Sequence, residues 1–427
     1  MTTSGPLARR LGTVDAIAIG LGSMIGAGVF AAFGPAAAAA GTGLIIGLAI
    51  AAVVAVGNAT SSAQLAAQYP TSGGTYVYGR EMLGEWPGFF AGWSFVIGKT
   101  ASCAAMGLTF AAYVAPAGWE KPVAIVAVLA LAGVNAVGVT RTAALTKVIV
   151  VVVLSVLALV VIAAAASGTA NPATVFGGAG DLGWYGVLQS AGLLFFAFAG
   201  FARIATMGEE VRSPERTIPR AIVIALSITL VVYGTIAFAA LATLGPERLA
   251  ASAAPLAEVA AAGGWAWTEP IVRVGAAAAA LGALLALIAG IGRTSLAMAR
   301  NDDLPRWFSA VHPRYKVPQR AEFALAAIVC GLILATDLRS AIGFSSFGVL
   351  LYYLIANISA FKQGSGHRRF PRILQVIGAI GCAVLVATLP WQSIVGGIVV
   401  LAVGIAYRGS RSGGAQRRAG RAALVAP

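Results

Sequence analysis

The sequence has 427 residues, of which 59% are hydrophobic and 10% charged, with a mean hydropathy of +0.87 and a formal net charge of +14. A soluble domain carries roughly 25% charged residues, so a soluble enzyme is excluded and the chain reads as an all-α polytopic membrane protein. The cationic excess does not point to nucleic acid, because it follows from where the cations sit around the apolar runs.

A hydrocarbon core of ~30 Å is crossed by about 20 apolar residues. On that rule the chain gives twelve transmembrane helices, near 13–39, 42–66, 87–115, 122–139, 143–166, 186–208, 219–244, 270–298, 321–336, 340–361, 373–389 and 391–407. Arg9-Arg10 precede the first run, which has no cleavage site and is read as a retained helix rather than a signal peptide. No Lys, Arg, Asp or Glu occurs from Ala16 to Gly79, which places Gly22-Ser23-Met24-Ile25-Gly26-Ala27-Gly28-Val29-Phe30 at membrane depth. Gly22, Gly26 and Gly28 weaken a helix there by about 1 kcal/mol each relative to Ala. One reading is a helix broken at the midplane, whose freed amides face an anion. The other is a small-xxx-small packing face, Gly22-x-x-x-Gly26.

After the second helix, Tyr69-Pro70-Thr71-Ser72-Gly73-Gly74 reads as a turn. The segment from Thr75 to Trp86, with Tyr76, Met82 and Leu83 beside Arg80, Glu81 and Glu85, suits a short interfacial helix. Helix 6 runs through Phe195-Phe196-Ala197-Phe198-Ala199-Gly200-Phe201-Ala202-Arg203 and ends in Glu209-Glu210. Gly200 opens the second set of five helices as Gly26 opens the first. Two interruptions at matching places in two five-helix halves mark a midplane site in an inverted-repeat transporter, and this favours the broken-helix reading. The expected units are a cytoplasmic tail (1–12), a first repeat (13–166), a second (186–361), helices 11 and 12 (373–407) and a basic tail (408–427) lying on anionic lipid.

With the N-terminus inside, the outer loops hold only Lys121, Arg248, Arg273 and Arg339, while the inner loops and both tails take nearly all other cations. That imbalance satisfies the positive-inside rule and predicts two cytoplasmic termini. Cys103, Cys330 and Cys382 lie in apolar runs as packing thiols, and His312 and His367 stand apart in basic loops. No metal or other cofactor is expected.

On these motifs the chain resembles the amino acid–polyamine–organocation superfamily, whose fold is the LeuT-type 5+5 inverted repeat with broken helices 1 and 6. Four stretches carry the resemblance. They are Gly22 to Phe30, Tyr69 to Tyr76, Phe195 to Pro214, and Arg293 to Pro305 with its Asn301-Asp302-Asp303-Leu304-Pro305 ending. The resemblance implies an amino acid permease in a cytoplasmic membrane. It places the substrate carboxylate on amides around Ile25, Gly26, Ala27 and Gly28. The amino group would meet carbonyls near Ser23 and Met24 and near Phe198 and Ala199. Phe198 or Phe201 would form the aromatic lid beside Gly200, unless these rings only pack the core.

The chain also departs from its relatives. Ala202 stands where members with cationic substrates often carry an acid, Val153 where several carry a helix 5 lysine, and Gly98 where some carry a helix 3 acid. Lys147, nearer the cytoplasmic end, is free to snorkel instead. What remains at depth is Lys99 in helix 3 and Arg203 in helix 6. Intramembrane cations usually face the bundle interior and have a function. Arg203 is expected to bridge to helix 1 carbonyls, to pair with Glu209 or to face a substrate anion. The alternative for both cations is a structural tie between helices. Lys99 is the candidate for proton coupling, since Arg203 stays charged.

The substrate is therefore expected to be a zwitterionic, neutral amino acid, with an acidic one as the variant that the intramembrane cations keep open. Exchange, export and a non-transporting sensor share the same motifs. A membrane enzyme lacks a clustered acid–base set here, and a channel would show a filter or pore ring. The expected partners are the amino acid, protons and the lipid bilayer, and the Ala- and Gly-rich composition suggests a bacterial membrane.

Overall fold

The structure, a computed structural model, describes residues 11–425 apart from 72, 139–142, 178–182, 263–264 and 316, with the side chain of Phe176 and those past Arg411 outside the description. Arg9, Arg10, Ser72, Arg141 and Lys316, and the side chains of Arg417, Arg418 and Arg421, lie outside the described residues. The rest is all-helical. The first expected span is three pieces: α1 (Thr13–Met24), α2 (Ala27–Ala31) and α3 (Phe33–Ala40). There follow α4 (Leu44–Gln68), the short α5 (Thr75–Leu83), α6 (Glu85–Val114), α7 (Glu120–Ala136), α8 (Ala143–Ala166) and a single turn, α9 (Ala173–Phe176).

The second half begins with α10 (Trp184–Phe198) and α11 (Ala202–Ala205), joined by a 3-10 turn at Ala199–Phe201. It continues through α12 (Pro214–Ala251), α13 (Pro255–Ala262), α14 (Glu269–Arg300), α15 (Gln319–Ala335) and α16 (Leu338–Phe361). Two last helices are α17 (Arg372–Thr388) and α18 (Trp391–Val425). Gly245 leaves helical geometry inside α12, just before Pro246. Residue 244, the expected end of the seventh span, therefore coincides with a real kink.

Among the described residues nine helical stretches are long and apolar enough to cross a membrane. Three of the twelve expected spans, α7, α15 and α17, have 17 residues each. The outward faces are apolar. Val148 and Val151 on α8 and Ile398 and Val403 on α18 are more than half exposed. Polar side chains such as Asn58, Ser61, Gln64 and Asn357 are buried between helices. That inversion of the soluble pattern is what a lipid solvent selects, and the chain is a multi-pass membrane protein.

The centre of the bundle is α6, which packs against α14 and α16. Its closest crossing is Gly98 on Gly348 of α16, where a Cβ on Gly98 would come within 3.0 Å of the Gly348 Cα. An acid cannot stand at position 98 without parting these backbones. Differently from expectation, α5 is docked rather than interfacial: Tyr76 and Tyr78 are buried, because their hydroxyls find Asp303 and the Ala205 carbonyl inside the bundle. The start of the expected basic tail is also tied down. It continues α18, with Arg408 paired to Asp303 and Glu85 and Arg411 to Asp302.

Candidate functional site

The two interruptions meet. At the first, α1 ends at Met24, and Ile25 and Gly26 (φ −74°, ψ −133°) turn the chain before α2 starts. At the second, the helix tightens into a 3-10 turn rather than unwinding. Gly200 lies against the Ser23 carbonyl and the Met24 amide so closely that a Cβ there would overlap the Ser23 backbone. One turn away, a Cβ on Gly28 would lie 2.7 Å from the Ala197 Cα. The small residues thus serve both readings of the first stretch: they break α1 and they let the two broken helices touch.

Carbonyls released by a break need donors, and three side chains supply them. The hydroxyl of Tyr233 in α12 shares its one proton between Met24 O at 2.5 Å and Ala197 O at 3.0 Å, joining the two interrupted segments. Tyr353 of α16 and Lys99 of α6 both donate to Ala199 O, at 3.3 and 3.2 Å. Neither tyrosine was nominated from the sequence. The available signal was a phenol in an otherwise apolar run (Tyr233 alone, Tyr353 beside Tyr352), since a buried Tyr O–H almost always finds a partner.

Beside this junction, between α1, α6, α10–α11 and α14, lies a cavity of about 140 Å³. Of the nominated residues, Ser23, Lys99, Ala199, Gly200, Ala202 and Arg203 line it. Phe196 and Phe95 supply its rings. Phe198 and Phe201 do not line it. They are fully buried and pack on Tyr233 and Tyr353, with ring centroids 5.0 and 4.8 Å apart. Met24 and Ala27 are buried in the core, and Gly28 is pressed on Ala197. Ile25 and Gly26 line a much smaller void of about 10 Å³ together with Val153. Position 153 therefore does face the first interruption, as the comparison with helix 5 lysines supposes, but with an apolar side chain.

Arg203 reaches Thr206 Oγ1 (3.3 Å) and Glu210 Oε1 (3.9 Å), the acid next to the expected Glu209. Arg293 of α14 approaches the same Glu210 oxygen at 3.5 Å. A second cavity of about 160 Å³ shares Ser23, Arg203, Glu210 and Arg293 and runs on to Leu11, Asn135 and Thr146. The site thus opens toward the end of the bundle that holds the start of α1. Lys147 is not part of it, being paired with Asp15 at 2.6 Å.

The amino acid permease family profile matches residues 11–408. An uncharacterized transporter of Mycobacterium tuberculosis is 59% identical over 95% of this chain and 92% of its own length. The branched-chain amino acid permease BcaP of Bacillus subtilis is 25% identical, covering 94% of this chain and 93% of its own. Cationic amino acid transporter 7, chloroplastic, of Arabidopsis thaliana is 28% identical over 83% of this chain and 65% of its own. A match over almost the whole chain, together with a relative of this identity, leaves one conclusion: the chain belongs to the amino acid permease family of the amino acid–polyamine–organocation superfamily, a family of transporters and not of enzymes.

Proposed function

We propose that this protein is a secondary active transporter that carries an amino acid across the cytoplasmic membrane by alternating access. The observation that carries the reading is the junction of the two interruptions, Gly200 on Ser23, at the wall of a cavity. In this reading all twelve helices cross the membrane as a LeuT-type 5+5 inverted repeat. Residues 13–166 and 186–361 are the repeats, 373–407 are helices 11 and 12, and both termini are cytoplasmic. With the termini inside, the second cavity would open inward, as in an inward-facing state.

The α-carboxylate would bind at the interruption of α1 from the Ser23 side, with Ala199 and Gly200 lining the space for the amino group. Phe196 takes the lid role in place of Phe198 or Phe201, since it is the helix 6 ring on the cavity wall. Relatives are named for cationic and for branched-chain amino acids. A cationic substrate is disfavoured here, because position 202 is alanine and Lys99, Arg203 and Arg293 already line the cavity. Lys99 substitutes for the bound ion or helix 5 lysine of relatives by holding the Ala199 carbonyl, and its proton is the coupled one.

The test is uptake of labelled alanine, leucine, glutamate and arginine into proteoliposomes, with and without an inward proton gradient. Accumulation that collapses with a protonophore is expected. Uptake only into preloaded vesicles would make the protein an exchanger and remove proton coupling. No uptake of any amino acid by folded protein would overturn the transporter mechanism in favour of a sensor.

A further inference from the structure

The cavity wall is electrostatically unbalanced. Three cations, Lys99, Arg203 and Arg293, face it, and among the described lining residues Glu210 is the one carboxylate. That carboxylate is shared, since both guanidiniums approach its Oε1, at 3.9 and 3.5 Å. Lys99, only 6% exposed, donates to the backbone carbonyl of Ala199 rather than to an acid. An ammonium has three donors and a guanidinium five, so the three cations bring far more donors than the one lining carboxylate can accept. A further acid, Glu322 of α15, is buried behind Gly292 and faces Arg293 from outside the cavity, so it does not supply acceptors to the lumen.

A neutral zwitterion brings no net charge and leaves this excess in place. A cationic side chain adds to it in a setting where charges are weakly screened. A second carboxylate offsets it, and a planar carboxylate also matches the geometry that guanidinium groups bind best. Arg203 and Arg293 converge on one oxygen, so an anion that replaces Glu210 there is within reach of both. The small walls at Ala283, Ala286 and Gly290 leave room beside them.

We propose that the substrate is an anionic amino acid, aspartate- or glutamate-like, whose side-chain carboxylate is taken by Arg203 and Arg293 in competition with Glu210. This rests on the permease reading above and narrows it to one substrate class.

The experiment is competition for uptake into proteoliposomes holding the full-length protein, with labelled glutamate, aspartate, leucine and arginine. Equilibrium binding of the same amino acids to the detergent-solubilised protein is measured alongside. Glutamate or aspartate is expected to be preferred over leucine by about tenfold or more, which corresponds to about 1.4 kcal/mol. Arg203→Gln and, separately, Arg293→Gln are expected to reduce that preference to less than threefold, with glutamate binding weakened more than leucine binding. Preferred uptake of leucine or arginine overturns the anionic class and leaves the permease reading intact. Glutamate binding without uptake of any amino acid keeps the anionic class and overturns the permease reading. A preference for glutamate that survives both arginine substitutions overturns the assignment of these residues.

Discussion

The ammonium of Lys99 donates to the carbonyl of Ala199 across 3.2 Å, at the point where α10 gives way to a 3-10 turn. The same oxygen accepts from Tyr353. A buried cation is thereby held by a backbone carbonyl at the interruption. The tie joins α6 to the segment that, with α1, forms the cavity wall.

Lys99→Met separates the structural and coupling roles of this contact. Ala199 O keeps Tyr353 as a donor, and removing a buried cation offsets much of the lost charged hydrogen bond, which is worth about 1.5–3 kcal/mol. The thermal midpoint in detergent is expected to shift by only a few degrees. Proton-driven accumulation is expected to be lost, while exchange between preloaded vesicles persists. Unchanged pH dependence of uptake in Lys99→Met would show that the coupled proton is elsewhere.

Tyr233→Phe should be the more damaging change to the fold. Its one hydroxyl proton is shared between Met24 O and Ala197 O, so the substitution removes the donor that ties both carbonyls together. An unsatisfied buried group costs about 1–3 kcal/mol. Tyr353→Phe leaves Ala199 O with Lys99 and is expected to cost less than half as much. Thermal unfolding of the two variants in the same detergent decides this; equal shifts would mean that Tyr233 does not bridge the interruptions.

Gly200→Ala tests whether the contact between the broken helices matters for transport. The new methyl would meet the Ser23 backbone, which cannot move aside like the end of a flexible side chain. Loss of more than nine-tenths of uptake is expected. Gly133→Ala on α7, where nothing lies within 4 Å of the added carbon, controls for a general effect of replacing glycine in a helix and is expected to transport normally. Normal uptake in Gly200→Ala would remove the junction as the centre of the site.

Much of this architecture was legible in the chain because lipid simplifies the code. Apolar length gives the spans, and glycine clusters at Gly22–Gly28 and at Gly200 give the interruptions. Which atoms line the cavity was less legible. Phe196, Phe198 and Phe201 are equivalent in composition; Phe196 and Phe198, two residues apart in α10, point to opposite faces, and the first faces the cavity while Phe198 and Phe201 pack on tyrosines. Tyr233 and Tyr353 act on carbonyls far away in sequence, and no local pattern marks that pairing. Glu210, next to the expected Glu209, is an acid that meets Arg203, and no local pattern marks which neighbour does.

The last prediction concerns the turn after α14, where Asp303 is buried and accepts from Tyr76 at 2.7 Å, from Arg80 at 2.9 Å and from Arg408. One carboxylate thus fastens α5, α14 and α18. Arg408 also pairs with Glu85 and lies over the rings of Trp86 and Phe89, at 5.0 and 4.9 Å. Removing one partner of a buried ion pair costs about 3–5 kcal/mol, since the remaining charge is left uncompensated. Asp303→Asn leaves Arg80 and Arg408 to share the exposed Glu85 as their one carboxylate among the described contacts, and is expected to abolish a monodisperse folded protein. Arg408→Gln removes one of two cations, and Arg80 still neutralises Asp303, so the loss is expected to be a lower thermal midpoint with folding intact. Size-exclusion profiles and thermal unfolding of both variants make the comparison. If Arg408→Gln were as destructive as Asp303→Asn, the tie through α18, rather than the charge of Asp303, would be what holds this end of the bundle.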